Sequence, residues 1–148
     1  MTATRILVLN GPNLNLLGTR EPSVYGTLTL DELTAQLSLV ADRLAVEVEF
    51  YQSNGEGALI DKLHASRTTH HGVVFNPGGY THTSVALHDA LRAIGLPCVE
   101  VHLTNTSARE EFRQKSITGA ACVGRIEGFG FDSYRMGLEQ IARIVRSK

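Results

Sequence analysis

The chain has 148 residues, of which 43% are hydrophobic and 20% charged, with a formal net charge of -1. This length suits one domain and this composition an ordinary globular chain, which excludes a disordered or low-complexity protein. The near-neutral charge gives no reason to expect nucleic acid or an anionic membrane as a partner. No stretch approaches the roughly 20 apolar residues of a membrane span. The opening MTATRILVLN has too short an apolar run for a secretory leader and no small-residue cleavage site after it, so a cytoplasmic location is expected. Cys98 and Cys122 each sit in an apolar, strand-like run, and read as buried free thiols rather than a disulfide or metal site.

In chain order, Ile6 to Leu9 is an apolar run ending at Asn10-Gly11-Pro12, a buried strand and its turn. Leu30, Leu33, Leu37, Val40, Ala41 and Leu44 form one face of a helix, and Thr29 with Glu32 makes a capping box at its start. Val46, Val48 and Phe50 alternate with Glu47, Glu49 and Tyr51 as a second strand. Residues 54–69 read as helical, and Gly72 to Phe75 as a third strand closed by Asn76-Pro77-Gly78-Gly79. Thr83 to Ile94 is helical, with Gly95 as its C-terminal cap and Pro97 just beyond. Cys98 to Leu103 is a fourth strand and Ala120 to Ile126 a fifth. A last helix carries Tyr134, Leu138, Ile141 and Val145 on one face.

Strands alternating with helices imply parallel crossovers and a sheet covered on both faces. With five strands the natural architecture is a flavodoxin-like doubly wound α/β domain occupying residues 1–148. Ligands of such folds sit outside the carboxyl ends of the strands. Polar residues gather at those ends here: Asn10 to Asn13, Asn76 to His82, and Glu100 to Asn105. Glu100 and His102 lie two apart on a strand and so project from one face. A carboxylate beside an imidazole fixes its tautomer and favours its charged form, which suits a general acid, although a satisfied structural histidine has the same signature. Gly18 to Gly26 is a long polar loop with glycines at both ends, the form of a lid, carrying Arg20 and Tyr25. A guanidinium favours the phenolate of a neighbouring tyrosine and so prepares a base; outside this setting, the pair is an anchoring aromatic and a solvated arginine.

The six histidines form no zinc pattern: His70 and His71 are adjacent, and His82 and His88 lack the helical spacing of paired ligands, so no metal is expected. Lys62, Lys115 and Lys148 are the only lysines and none lies at a strand end, which argues against an imine mechanism.

Three segments, LNGPNLNLLGTREPSVYG, FNPGGYTHTSVALHDAL and EVHLTNTSAREEFRQKS, resemble in content, order and spacing the signature blocks of the type II dehydroquinases. The resemblance spans essentially the whole chain. It implies a flavodoxin-like hydro-lyase that takes 3-dehydroquinate to 3-dehydroshikimate through an enolate, in the shikimate pathway, without a cofactor. By the same resemblance Tyr25 is the base that removes a C2 proton, with Arg20 keeping it ionised. Asn13 holds a water on the enolate, and His102, oriented by Glu100, protonates the departing C1 hydroxyl. Asn76, His82, Leu103, Thr104 and Arg113 bind the carboxylate and hydroxyls of the substrate. Asp89 reaches the site of a neighbouring subunit, because the family assembles trimers into a dodecamer. Where many members carry serine, Thr104 keeps the hydroxyl.

A non-catalytic module on the same fold is the competing reading. A flavodoxin wants a hydroxyl- and glycine-rich phosphate loop after its first strand, and Asn10 to Asn15 supplies no hydroxyl. A receiver domain wants acidic residues there to hold magnesium, and none is present. An inactive scaffold on the dehydratase fold has no need of Arg20, Tyr25 and His102.

Overall fold

The computed structural model describes residues 3–147, so Lys148 lies outside the described residues. In chain order it contains β1 (Arg5–Asn10), a 3-10 turn (Leu14–Leu16), α1 (Pro22–Tyr25), α2 (Leu30–Leu44), β2 (Glu47–Gln52), α3 (Glu56–Ser66) and β3 (Gly72–Asn76). A 3-10 turn (Gly78–His82), α4 (Val85–Ile94) and β4 (Cys98–His102) follow. Three further 3-10 turns (Thr106–Ala108, Glu111–Arg113 and Gly119–Ala121) lead to β5 (Gly124–Glu127) and α5 (Phe131–Arg146). All five strands are parallel, in the order β2-β1-β3-β4-β5, which is the flavodoxin-like arrangement.

The sheet is covered on both faces, and the alternation of side chains along each strand divides its apolar residues between two cores. Ile6, Val8, Val74, Val99 and Val101 pack with α2 and α5. Leu7, Leu9, Val73, Phe75 and Cys98 pack with α3 and α4. Helix α5 supplies Tyr134, Leu138 and Ile141, each fully buried, and each such aliphatic side chain contributes about 1.5–3 kcal/mol by leaving water. It lies close to the sheet because Gly137 has no side chain: a Cβ there would come 2.7 Å from Val101 Cγ1.

The capping box is present, with Thr29 Oγ1 accepting from the Glu32 N–H and Glu32 reaching back to the Thr29 N–H. Gly95 is left-handed at φ 70 and ends α4.

Three elements start at least two residues later than the sequence-based expectation. Helix α3 is shorter than residues 54–69, because Asn54 is drawn out of it: its Oδ1 accepts from Asn13 and Gln52, and its carbonyl from the Tyr80 hydroxyl. Helix α4 starts at Val85 rather than Thr83 because Ser84 is its cap, with Oγ accepting from the Leu87 N–H and donating to Glu56 of α3. Strand β5 begins at Gly124, not Ala120. Residues 119–121 instead form a turn after Thr118, whose hydroxyl is bound to Glu100. Cys122 therefore lies in a half-buried turn, its thiol on the Thr118 carbonyl, while Cys98 is buried in β4.

Beyond their apolar parts, β1 and β3 end in Asn10 and Asn76, which are register partners and buried. Both amides meet the phenol of Tyr134: its O–H donates to Asn10 Oδ1 (2.6 Å) and its oxygen accepts from Asn76 Nδ2 (2.9 Å). Burial pushes this phenol far above the usual tyrosine range, so it stays a neutral donor. Tyr134→Phe keeps the ring but leaves both buried amides short of a partner, an expected loss of about 1–3 kcal/mol. Urea unfolding followed by circular dichroism checks this; an unchanged midpoint would mean that the bridge adds nothing.

Candidate active site

The loops after β1 and β3 lie backbone to backbone. Gly11 donates its N–H to the Asn76 carbonyl (2.8 Å), and a Cβ at Gly11 would come 2.4 Å from the Pro77 oxygen. On the β3 side, Asn76 Oδ1 accepts from the Gly78 N–H. These contacts put Pro12, Asn13, Asn76, Gly78 and Gly79 on one wall of a cleft of about 140 Å3. Asn13 is left-handed at φ 70 with its N–H on Asn54 Oδ1 (2.9 Å), so none of its side-chain atoms is used to hold the turn.

The segment between Gly18 and Gly26 is the second wall. Both glycines have positive φ, 91 and 80, as hinge-forming ends of a lid would. Between them the chain forms the short helix α1, a feature not expected from the polar sequence, opened by Pro22 at its first turn. Tyr25 is its last residue and is half-buried. Two guanidiniums lie against its ring, with Arg20 Cζ 4.8 Å and Arg109 Cζ 5.1 Å from the ring centroid. Two cations thus lie against one aromatic ring at the mouth of the cleft.

The third wall is the end of β4. His102 Nε2 lies 3.0 Å from Glu100 Oε2, and Glu100 has no solvent exposure. That carboxylate also accepts from Ser116 Oγ (2.9 Å), Thr118 Oγ1 and Arg125 Nε (2.8 Å). Burial alone would push the Glu100 carboxyl up, but His102, Thr118 and Arg125 together outweigh it and hold it below the usual carboxylate value. Glu100 is therefore an anion and Nε2 of His102 is the donor to it, which leaves Nδ1 as the nitrogen available to a ligand in the cleft that His102 lines.

His82, Leu103, Thr104 and Arg113 line the same cleft. His82 donates from Nδ1 to the Lys115 carbonyl (2.8 Å), so its Nε2 is an acceptor. Arg113 is held by Glu110 (3.0 Å), and Arg109 donates to Thr104 Oγ1 (3.4 Å). Among the described residues lining the cleft are three arginines and two histidines and no carboxylate, a positive enclosure in a chain of net charge -1. Such a site suits a small anionic ligand.

Two of the residues expected from the sequence stand apart from this cleft. Glu100 lies behind His102, and Asp89 is on α4 with an exposed side chain 3.1 Å from His88. Asn76 lines the cleft, but its amide is already engaged by Tyr134 and Gly78. Arg109 and Thr106 line the cleft without having been expected, although Arg109 stands four residues before Arg113 in the same quoted block.

Comparison with known proteins gives the family of the chain. Residues 4–142 match the family model described as dehydroquinase class II. The chain is 58% identical over 134 residues to a 3-dehydroquinate dehydratase of Carboxydothermus hydrogenoformans, covering 90% of this chain and 87% of that one. It is 52% identical over 137 residues to a 3-dehydroquinate dehydratase of Geotalea daltonii, covering 93% and 95%. The crystal structure of a type II dehydroquinase from Butyrivibrio crossotus superposes with a TM-score of 0.92 at 42% identity, covering 94% and 97%.

Burial pushes His82 below the ordinary histidine value of 6.5; the Lys115 carbonyl opposes this, and His102 and Arg113 add to it. The unfolded chain then takes up the proton more readily, so this contribution to stability is intact above about pH 6.5 and is lost as pH falls towards the folded value. The difference in urea midpoint between the parent and His82→Gln should accordingly narrow from pH 7.5 to pH 5. A constant difference would show that His82 is not held neutral.

Proposed function

This chain belongs to the class II dehydroquinases, and from that premise we propose how its residues divide the removal of water from 3-dehydroquinate. As a 3-dehydroquinate dehydratase it is a hydro-lyase of the shikimate pathway, and a non-catalytic module on the same fold is not favoured. Tyr25 is the base. The observation that carries this assignment is the approach of two guanidiniums, Arg20 and Arg109, to its ring.

The phenolate takes the C2 proton beside the ketone, and the electron pair moves onto the carbonyl oxygen as an enolate. Asn13, with its side chain uncommitted at the turn, holds a water against that oxygen. The enolate then expels the C1 hydroxyl, which leaves as water by taking a proton from His102, and 3-dehydroshikimate remains. Glu100 orients His102 through its contact with Nε2. Arg113, His82, Thr104, the backbone at Leu103 and the region of Asn76 receive the carboxylate and hydroxyls. No cofactor or metal enters this scheme.

Residues 1–148 act as one catalytic domain, in the cytoplasm. The chain works as a dodecamer of trimers in which Asp89, exposed on α4 and outside its own cleft, completes the site of the next subunit.

The test is ultraviolet absorbance of chelator-treated protein mixed with 3-dehydroquinate, following the conjugated enone carboxylate. The parent should produce it, and Tyr25→Phe should lose about a thousandfold in turnover with the fold unchanged; near-parental turnover in the variant would remove the base assignment. Light scattering after size exclusion tests the assembly: a twelve-chain mass is expected, and Asp89→Ala should lower turnover or mass. A fully active single chain would refute the shared site.

A further inference from the structure

We propose that Arg125 is a positioning residue for the reaction, gripping Glu100 from the neighbouring strand so that the transferable proton stays on His102 rather than passing to Glu100. This rests on the reading of His102 as proton donor. Strand register brings the groups together. Strands β4 and β5 are parallel, with Glu100 opposite Arg125 and His102 opposite Glu127, and aligned residues of neighbouring strands project from the same face. The pattern Glu-x-His on one strand thus faces Arg-x-Glu on the other.

Arg125 is held at both ends of its guanidinium. Its Nε is 2.8 Å from Glu100 Oε2, the same oxygen that His102 Nε2 meets at 3.0 Å. Its Nη2 is 2.9 Å from Glu127 Oε2. The other oxygen of Glu127 accepts from the N–H (2.9 Å) and the hydroxyl (2.8 Å) of Thr106, a residue of the cleft wall. The stem of Arg125 passes over Gly119, where a Cβ would come 2.7 Å from its Cδ. Its side chain is 29% exposed and it does not line the cleft, so it acts through Glu100.

The chemistry follows from the sharing of one proton. Glu100 and His102 can hold it as carboxylate and imidazolium, or as carboxylic acid and neutral imidazole. In the second form the remaining ring N–H is far too weak an acid to protonate a departing hydroxyl near neutral pH. With Glu100 wholly buried, the first form depends on what faces the carboxylate. From the segment before β5 these are the hydroxyls of Ser116 and Thr118. Cys98 on β4 and His82 near the end of the 3-10 turn after β3 also feel its charge. Arg125 is the one group among these that is cationic at every pH.

The experiment compares Arg125→Met, which keeps the stem over Gly119, with Arg125→Lys, which keeps the charge on a smaller head. In Arg125→Met, kcat should fall about tenfold with KM within about twofold, and the alkaline limb of the kcat profile should move up by about one pH unit, because the Glu100–His102 pair has lost a neighbouring positive charge. Arg125→Lys should return the limb towards the parent. In nitrogen-15 histidine spectra of substrate-free protein at the pH of maximal turnover, the ring nitrogens of His102 should be alike in the parent and unlike in Arg125→Met, as in a neutral ring. A change in melting temperature alone, with the limb and spectrum of Arg125→Met parental, would overturn the proposal and leave Arg125 a structural residue. Should Arg125→Met not fold, an Arg125→Lys limb displaced as far as that of Arg125→Gln would overturn it as well. The spectrum is read without turnover, so it judges Arg125 separately from the donor assignment, which retained activity in His102→Ala would remove.

Discussion

A carboxylate with no solvent exposure sits in the middle of β4, with four side-chain donors arranged around it. An isolated buried carboxylate would take up a proton rather than remain charged. Glu100 stays ionised because its donors come from three places: His102 on its own strand, Ser116 and Thr118 in the segment that follows, and Arg125 on the next strand. Satisfying it requires the chain after His102 to fold back over the sheet before β5 can begin. The turns between Thr106 and Ala121 are that return path, and they also carry Arg109 and Arg113 to the cleft.

The cleft separates charge by sign. Arg20, Arg109 and Arg113 line it, while the carboxylates that pair with them, Glu21 and Glu110, lie outside its lining. Each guanidinium is paired from outside the lining and leaves its positive field on the cleft side, where an anionic substrate gains. The two guanidiniums against Tyr25 come from segments more than eighty residues apart, one on the lid and one on the return path.

The opposite faces of the sheet have different tasks. Asn10 and Asn76 point towards α5 and lock the ends of β1 and β3 through Tyr134. Glu100 and His102 point the other way, with Cys98, towards the face covered by α3 and α4. One sheet face thus carries the Tyr134 bridge between strand ends and the other the Glu100–His102 pair, a division that follows from the two-residue period of strands.

The strands, the capped helix α2 and the left-handed end of α4 were legible in the sequence because each is dictated locally, by apolar period, by Thr29 with Glu32, and by Gly95. Residues at strand ends were legible for the same reason: once β1, β3 and β4 are recognised, Asn13, His82 and His102 must fall at one edge. The start of β5 was misplaced because Ala120, Ala121 and Cys122 are apolar enough for a strand, and only the bond from Thr118 to Glu100 makes them a turn. Arg109, Tyr134 and Arg125 were not legible as parts of the site. Nothing in their neighbours separates them from a solvated arginine or a core aromatic, since their roles depend on which residue lies opposite. The sequence by itself determined the doubly wound fold and the edge at which chemistry occurs, because period and turn residues act over a few positions. Only the tertiary structure decided which charges face one another, because register between strands and the packing of distant loops set the distances over which charges act.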